Sequence, residues 1–222
     1  MDPQFWLDKW AKQELGFHLD AAHPLLQRHW PSLWVPKGST VFVPLCGKSL
    51  DLIYLRRMGY RVVGSELSPL AVEQFYAEHG LEPQVAERDG MQVWEAADIT
   101  LIQGDFFDLD RSLLPDIAAV YDRAALVALP PERQPMYARR IMALAPESAP
   151  ILLITLEYAQ PDMPGPPFST PAAQVERCFG ARYPLERLEA RDALQDNPGL
   201  RARGLAALTE VAWRLRAAGP DR

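Results

Sequence analysis

Cysteine is scarce in this chain of 222 residues: Cys46 and Cys178 stand far apart and form neither a redox pair nor a disulfide framework. The four histidines (His18, His23, His29 and His79) show neither i, i+4 pairing nor an H-E-x-x-H pattern, so no metal is expected. No apolar run approaches the roughly 20 residues that span a bilayer. The opening MDPQFWLDKW lacks the basic segment and apolar stretch of a secretory signal. Basic charge is not in excess either. The net charge is −6 with acids and bases interspersed, which argues against nucleic-acid and anionic-membrane partners. There is no internal repeat and no low-complexity tract. These absences lead to the expectation of a soluble protein in a reducing, cytoplasmic setting.

What is present is ordinary globular composition, 48% apolar and 23% charged. The length suits one well-buried α/β domain over 1–222. Proline is the exception, with 21 residues. Pro24, Pro69, Pro131 and Pro171 stand at predicted helix starts, where the fixed φ suits the first turn. Others gather in Gln160 to Pro171, QPDMPGPPFSTP, which cannot form a helix or a central strand.

Thr40 to Glu66 organises the remainder. An apolar run from Thr40 to Pro44 predicts a buried strand, and Leu45, Cys46 and Gly47 make a tight turn. Ser49 to Met58 has helical spacing and is closed by Gly59. Arg61 to Ser65 returns as a second strand ending on Glu66. That order is a nucleotide-binding βαβ unit. Glu66 stands 19 residues after Gly47, near the distance at which a carboxylate meets ribose hydroxyls.

Before this unit, Pro3 to Gln13 predicts a helix carrying Phe5, Trp6 and Trp10, and a second helical piece runs from Pro24 to Trp30. These aromatics either cover an edge of the core or fold over the sheet as a lid, with residues 1–35 as the lid segment. After Glu66, Ser68 and Pro69 start a helix that Gly80 stops. Gln84 to Trp94 reads as a hairpin turning at Asp89-Gly90. Ile99 to Gln103 is a strand followed by the loop Gly104 to Asp110, and Ile117 to Tyr121 is a strand ending in Asp122-Arg123. Pro131 to Leu144 predicts a helix with Met136, Ile141 and Leu144 inward, Pro150 to Tyr158 a strand, and Pro171 to Phe179 a helix. Tyr183 to Ala190 and Leu208 to Leu215 alternate as strands do, though both also suit a helix; they are read as a terminal pair joined by a loop at Asn197, Pro198 and Gly199. The predicted fold is α/β: a mostly parallel, doubly wound sheet of about seven strands, with an antiparallel edge and helices on both faces. Ligands bind such sheets at the carboxyl ends of the strands, where Leu45 to Gly47, Glu66, Asp105-Phe106 and Asp122-Arg123 all fall.

The turn limits the cofactor. Gly47-Lys48-Ser49 resembles the end of a phosphate loop, but the position five before Gly47 is Phe42, not glycine. VPLCGKSLDL also has one glycine where a dinucleotide fingerprint needs three. A cofactor with adenosine but no phosphate remains, and S-adenosylmethionine fits, with Glu66 on its ribose. Asp105 and Phe106 are placed to hold an adenine, or else they simply solvate a loop. Arg123 either pairs with Asp122 or another acid, or faces the cofactor carboxylate or an anionic acceptor. Cys46 reads as a buried structural thiol rather than a nucleophile.

DKW (Asp8 to Trp10), VPLCGKS (Val43 to Ser49), GSE (Gly64 to Glu66), FFDL (Phe106 to Leu109) and YDRAALVAL (Tyr121 to Leu129) resemble the thiopurine S-methyltransferase family in a bacterial form. The resemblance spans roughly residues 3 to 160. It implies a Rossmann-like class I methyltransferase using S-adenosylmethionine and releasing S-adenosylhomocysteine. It also implies cofactor contacts at Trp10, Leu45, Glu66, Asp105, Phe106 and Arg123, with Trp6 and Phe17 near lid positions. Arg123 gains a catalytic place near the reaction centre, orienting an anionic acceptor or helping withdraw its proton. The implied acceptors are thiopurines and other aromatic thiols, with selenium or tellurium compounds as further soft acceptors in a detoxification role. A nicotinamide-dependent oxidoreductase and a non-catalytic cofactor-binding module are the alternative readings.

Overall fold

The computed structural model describes residues 3–216, which divide into two compact units between Tyr121 and Asp122.

In the first unit the βαβ core forms as its sequence dictates. Strand β1 (Thr40–Val43) is buried along its length and pairs in parallel with β2 (Arg61–Glu66). Between them runs α3 (Leu50–Arg57), capped by Ser49, whose side chain accepts from the Asp51 amide; Gly59, at φ 88°, ends it. Two helices precede this core, α1 (Pro3–Ala11) and α2 (Pro24–His29), and a 3-10 turn over Trp30–Leu33 follows α2. Helix α4 (Pro69–Glu78) follows β2, with Ser68 as its cap and Pro69 in its first turn. Strands β3 (Gln84–Arg88) and β4 (Met91–Ala96) form the hairpin read from Asp89-Gly90, both turn residues having positive φ. A second tight turn carries no glycine or proline signal. Ala97 and Asp98, at φ 53° and 62°, turn β4 into antiparallel pairing with β5 (Ile99–Gln103), without any glycine. Strand β5 lies parallel to β2, and β6 (Ile117–Arg123), whose last two residues begin the second unit, lies parallel to β1. Strand order therefore reverses at β1, with β2 on one side and β6 on the other. That is the switch point at which such sheets bind ligands.

The second unit holds α5 (Gln134–Leu144), β7 (Ile151–Glu157), α6 (Ala172–Phe179), β8 (Leu185–Asp192), α7 (Pro198–Ala202) and β9 (Thr209–Leu215). Strand β9 lies between β7 and β8, antiparallel to both, so both tail segments are strands. Three expectations need correction. Helix α5 begins at Gln134 because Pro130 to Arg133 forms a turn first. Met136 is 37% exposed, so the inward face is set instead by Tyr137, Ala138, Ile141 and Leu144. The segment read as a loop at Asn197 to Gly199 contains the short helix α7, whose Leu200 packs against a small cluster of Met163, Ala193, Leu205 and Leu208. The proline-rich segment is tied down: Tyr158 donates its hydroxyl to the Pro167 carbonyl at 2.7 Å, and the Ser169 amide donates to Gln160 Oε1 at 2.9 Å.

The sheet is mixed: a parallel centre of β5, β2, β1 and β6 is joined by antiparallel strands. Nine strands occur among the described residues, two more than predicted because the hairpin joins the sheet.

Candidate active site

Leu45, Cys46 and Gly47 leave β1 at its carboxyl end as a strained turn. Leu45 adopts φ 47° and Gly47 φ 54°, and the left-handed region is costly for a residue with a Cβ. The conformation is held by the end of β2. The Leu45 amide donates to Ser65 Oγ at 3.3 Å and the Cys46 amide to the Ser65 carbonyl at 2.9 Å. The Gly47 amide donates to Glu66 Oε2 at 2.8 Å. Three successive N–H groups therefore point into Ser65 and Glu66. A phosphate-binding turn must leave such groups free for its anion, and this one does not.

Glu66 is 6% exposed, and its other oxygen accepts from the Ser68 amide at 2.8 Å. Burial raises its carboxyl above the ordinary range, while the amides of Ser68, Gly47 and Leu67 pull the other way. A carboxylate has about four acceptor positions, so these two hydrogen bonds orient Glu66 and leave room for a further donor pair such as a vicinal diol. Burial, and then the nearby Glu66 charge, hold the Cys46 thiol well above its usual value. Its sulfur also sits where a methyl on Gly64 would come within 2.6 Å of it. Cys46 is a buried structural thiol that packs the turn.

The loop after β5 is tied to the same edge, since the Gly104 amide donates to the Glu66 carbonyl at 2.9 Å. Asp105 closes the loop by accepting from the Phe107 amide at 2.9 Å. Phe106 is 2% exposed and meets Phe107 edge to face at 5.4 Å. Asp105 remains partly exposed beside it, so one apolar and one polar group stand together at this position.

The N-terminal aromatics lie over the turn. Trp10 is 2% exposed, and its ring comes within 3.1 Å of the position a Cβ would take on Gly47. Phe17 packs edge to face on both Trp10 and Trp6, at 5.8 and 5.9 Å. Trp10, Leu45, Glu66, Asp105 and Phe106 thus belong to the carboxyl edge of the first unit. One feature of that unit escaped the sequence reading. Asp51, buried in the first turn of α3, accepts from the His23 amide at 2.7 Å and from the Tyr121 hydroxyl at 3.0 Å. No short-range pattern marks that pairing.

Arg123 is described with the second unit. Its side chain has no hydrogen bond or ion pair among the described residues, so the pairing with Asp122 that the sequence allowed does not form. Asp122 instead accepts from the Leu126 amide at 3.1 Å and the Tyr137 hydroxyl at 2.7 Å. Burial pushes its carboxyl up to about 6, against the opposing pull of those two donors. The bonds to Leu126 and Tyr137 fix the backbone on either side of Arg123 and Ala124, the latter at φ 61°.

The sequence profile of the thiopurine S-methyltransferase family matches residues 1–218. A thiopurine S-methyltransferase of Methylococcus capsulatus is 50% identical over 218 residues, 98% of each chain. One from Nitrosomonas eutropha is 48% identical over 97% of this chain and 98% of its own. Among solved structures, an S-adenosylmethionine-dependent methyltransferase of Anabaena variabilis superposes with a TM-score of 0.65 at 14% identity, covering 97% of this chain and 95% of the other.

Proposed function

Because the chain belongs to the thiopurine S-methyltransferase family, we propose that it transfers a methyl group from S-adenosylmethionine to the sulfur of thiopurines and related aromatic thiols. The observation that carries this reading is the turn at Leu45 to Gly47. Its three amides are engaged by Ser65 and Glu66, while the Glu66 carboxylate keeps acceptor capacity. Those residues suit an adenosine cofactor without phosphates, and they disfavour a nicotinamide dinucleotide, whose pyrophosphate needs free N–H groups.

When bound, S-adenosylmethionine supplies an electrophilic methyl group on a sulfonium. Glu66 binds the ribose hydroxyls, Phe106 and Asp105 hold the adenine, and Leu45 and Gly47 shape the floor beneath. Trp10 covers the turn and excludes water. Arg123, with its guanidinium unpaired among the described residues, orients the anionic acceptor or helps withdraw its proton. Methyl transfer is an in-line displacement from an already cationic leaving group, so positioning and exclusion of water contribute more than a strong base. Aromatic thiols ionise near neutrality, which suits this arrangement. Soft selenium and tellurium acceptors fit the same chemistry, which would make the enzyme protective against them. The whole chain then serves as one methyltransferase domain acting as a monomer.

The test is transfer of radiolabelled methyl from S-adenosylmethionine to 6-mercaptopurine, with selenite and tellurite derivatives in parallel. Arg123→Ala should lower kcat about 100-fold, the scale expected when a positioning charge is lost. Wild-type turnover by Arg123→Ala would remove it from the reaction centre. Cofactor binding without transfer to any soft nucleophile would favour a non-catalytic module, and tight NADH binding an oxidoreductase.

A further inference from the structure

Asp51 is 2% exposed, and among the described residues no cation pairs with it. An acid in the first turn of a helix is stabilised by the helix dipole alone, and that would explain a surface aspartate. Asp51 does more: each oxygen takes a donor from a distant part of the chain. Oδ1 accepts from the His23 amide, 28 residues away, and Oδ2 from the Tyr121 hydroxyl, 70 residues away. His23 and Tyr121 are themselves 3% and 1% exposed. Burying a carboxylate this deeply is costly unless donors compensate. The two bonds therefore fix where those elements lie.

Their placement ties α3 to the N-terminal segment and to β6. Asp51 follows Gly47 by four residues on the helix that leaves the turn. His23 ends the stretch that brings Trp10 and Phe17 over Gly47, and it caps α2 through its Nδ1, which accepts from the Leu25 amide at 3.3 Å. Tyr121 lies on β6, two residues before Arg123. The N-terminal cover is thus anchored at two points on the same short segment, by ring contact at Gly47 and by hydrogen bond at Asp51.

We propose that Asp51 is a positioning residue for methyl transfer, holding the cover formed by Trp10 and Phe17 in register with the turn at Gly47 through His23, and the β6 backbone at Tyr121 through its hydroxyl. This rests on the proposed placement of S-adenosylmethionine beside Gly47 and Glu66. Asp51 does not touch cofactor or acceptor.

The experiment compares Asp51→Asn, Tyr121→Phe, Glu66→Ala and Tyr76→Phe. Tyr76→Phe is the structural control, because it too removes a buried hydroxyl, one that donates to the Trp94 and Ile99 carbonyls. Melting temperature, S-adenosylhomocysteine affinity by calorimetry and kcat/KM for S-adenosylmethionine are measured on the full chain. Tyr121→Phe and Asp51→Asn should lower kcat/KM about ten-fold, the scale of a small misplacement, and together cost less than the sum of the two. Tyr76→Phe should lower the melting temperature to a similar degree and leave kcat/KM unchanged. Should Asp51→Asn fail to fold, Tyr121→Phe decides. The inference is overturned if Tyr121→Phe matches Tyr76→Phe in kcat/KM while Glu66→Ala still loses affinity. If Glu66→Ala binds as wild type, the cofactor placement fails and this role fails with it.

Discussion

The Gly47 amide donates to Glu66 Oε2 at 2.8 Å, joining the end of β1 to the end of β2 by a charged hydrogen bond out of water. The contact does two things at once. It fixes the carboxylate that the family resemblance assigns to the ribose, and it removes the amide a phosphate would have used.

Replacing Glu66 by alanine should weaken binding of S-adenosylmethionine by roughly 1.5–3 kcal/mol, the loss of hydrogen bonds to a charged group. Titration calorimetry measures this directly. Glu66→Gln keeps the shape and should retain part of the affinity, since an amide oxygen still accepts. Unchanged affinity in both variants would take Glu66 out of the site.

Gly47→Ala adds a methyl 3.1 Å from the Trp10 ring at a residue with φ 54°. The backbone alone should cost about 1–2 kcal/mol, and moving Trp10 should lower cofactor affinity as well. Gly80→Ala is the comparison, because Gly80 has φ 62° with nothing within 4 Å of the added carbon. It should lose stability without losing affinity. Equal affinities for the two variants would mean that the Trp10 contact does not matter for binding.

Asp122 makes stability depend on pH in the direction opposite to a paired carboxylate. Its carboxyl titrates near 6 when folded against an ordinary 3.8. Between those values the folded state keeps a proton that the unfolded chain has released. Stability attributable to this group is therefore present at low pH, falls as pH rises from about 4 to 6, and is level above that. The loss is at most about 3 kcal/mol for a shift of about two units. Glu66, also raised, acts in the same direction. Urea unfolding from pH 4 to 7 should show a difference between wild type and Asp122→Asn that changes across this window. A constant difference would contradict it.

The two thiols should be unreactive in the folded protein. Burial and the Glu66 charge keep Cys46 protonated, and burial pushes Cys178 up to about 11. Ellman's reagent at pH 8 should find neither thiol until denaturant is added. Cys46→Ser should keep most methyl transfer. A loss as deep as that of Arg123→Ala would instead make Cys46 a chemical participant.

Much of this protein is legible in its sequence because the relevant signals are local. Ser49, Ser68 and Gly59 mark helix ends by hydrogen bonds and φ values that reach a few residues. Asp89-Gly90 specifies its hairpin for the same reason. The turn at Ala97-Asp98 was illegible because neither residue favours positive φ strongly; strand pairing on both sides imposes it. Met136 fits an apolar helical pattern, yet its position on α5 faces outward, since a pattern marks a stripe and not which edge of it is covered. Within the site, the single glycine argues against a phosphate-bearing cofactor, but the matching arrangement of three amides turned into Ser65 and Glu66 is visible only in the fold.

By itself the sequence determined the α/β class, the βαβ unit with its single-glycine turn, and the family. These follow from periodicity, capping and contiguous motifs, whose energies act over one turn or one strand. Tertiary structure alone decided that Trp10 lies on Gly47 and that Asp51 joins His23 to Tyr121. It also decided that Arg123 stays free of Asp122. Such contacts depend on which distant groups share a buried, low-dielectric space, where an unpaired donor or charge is costly.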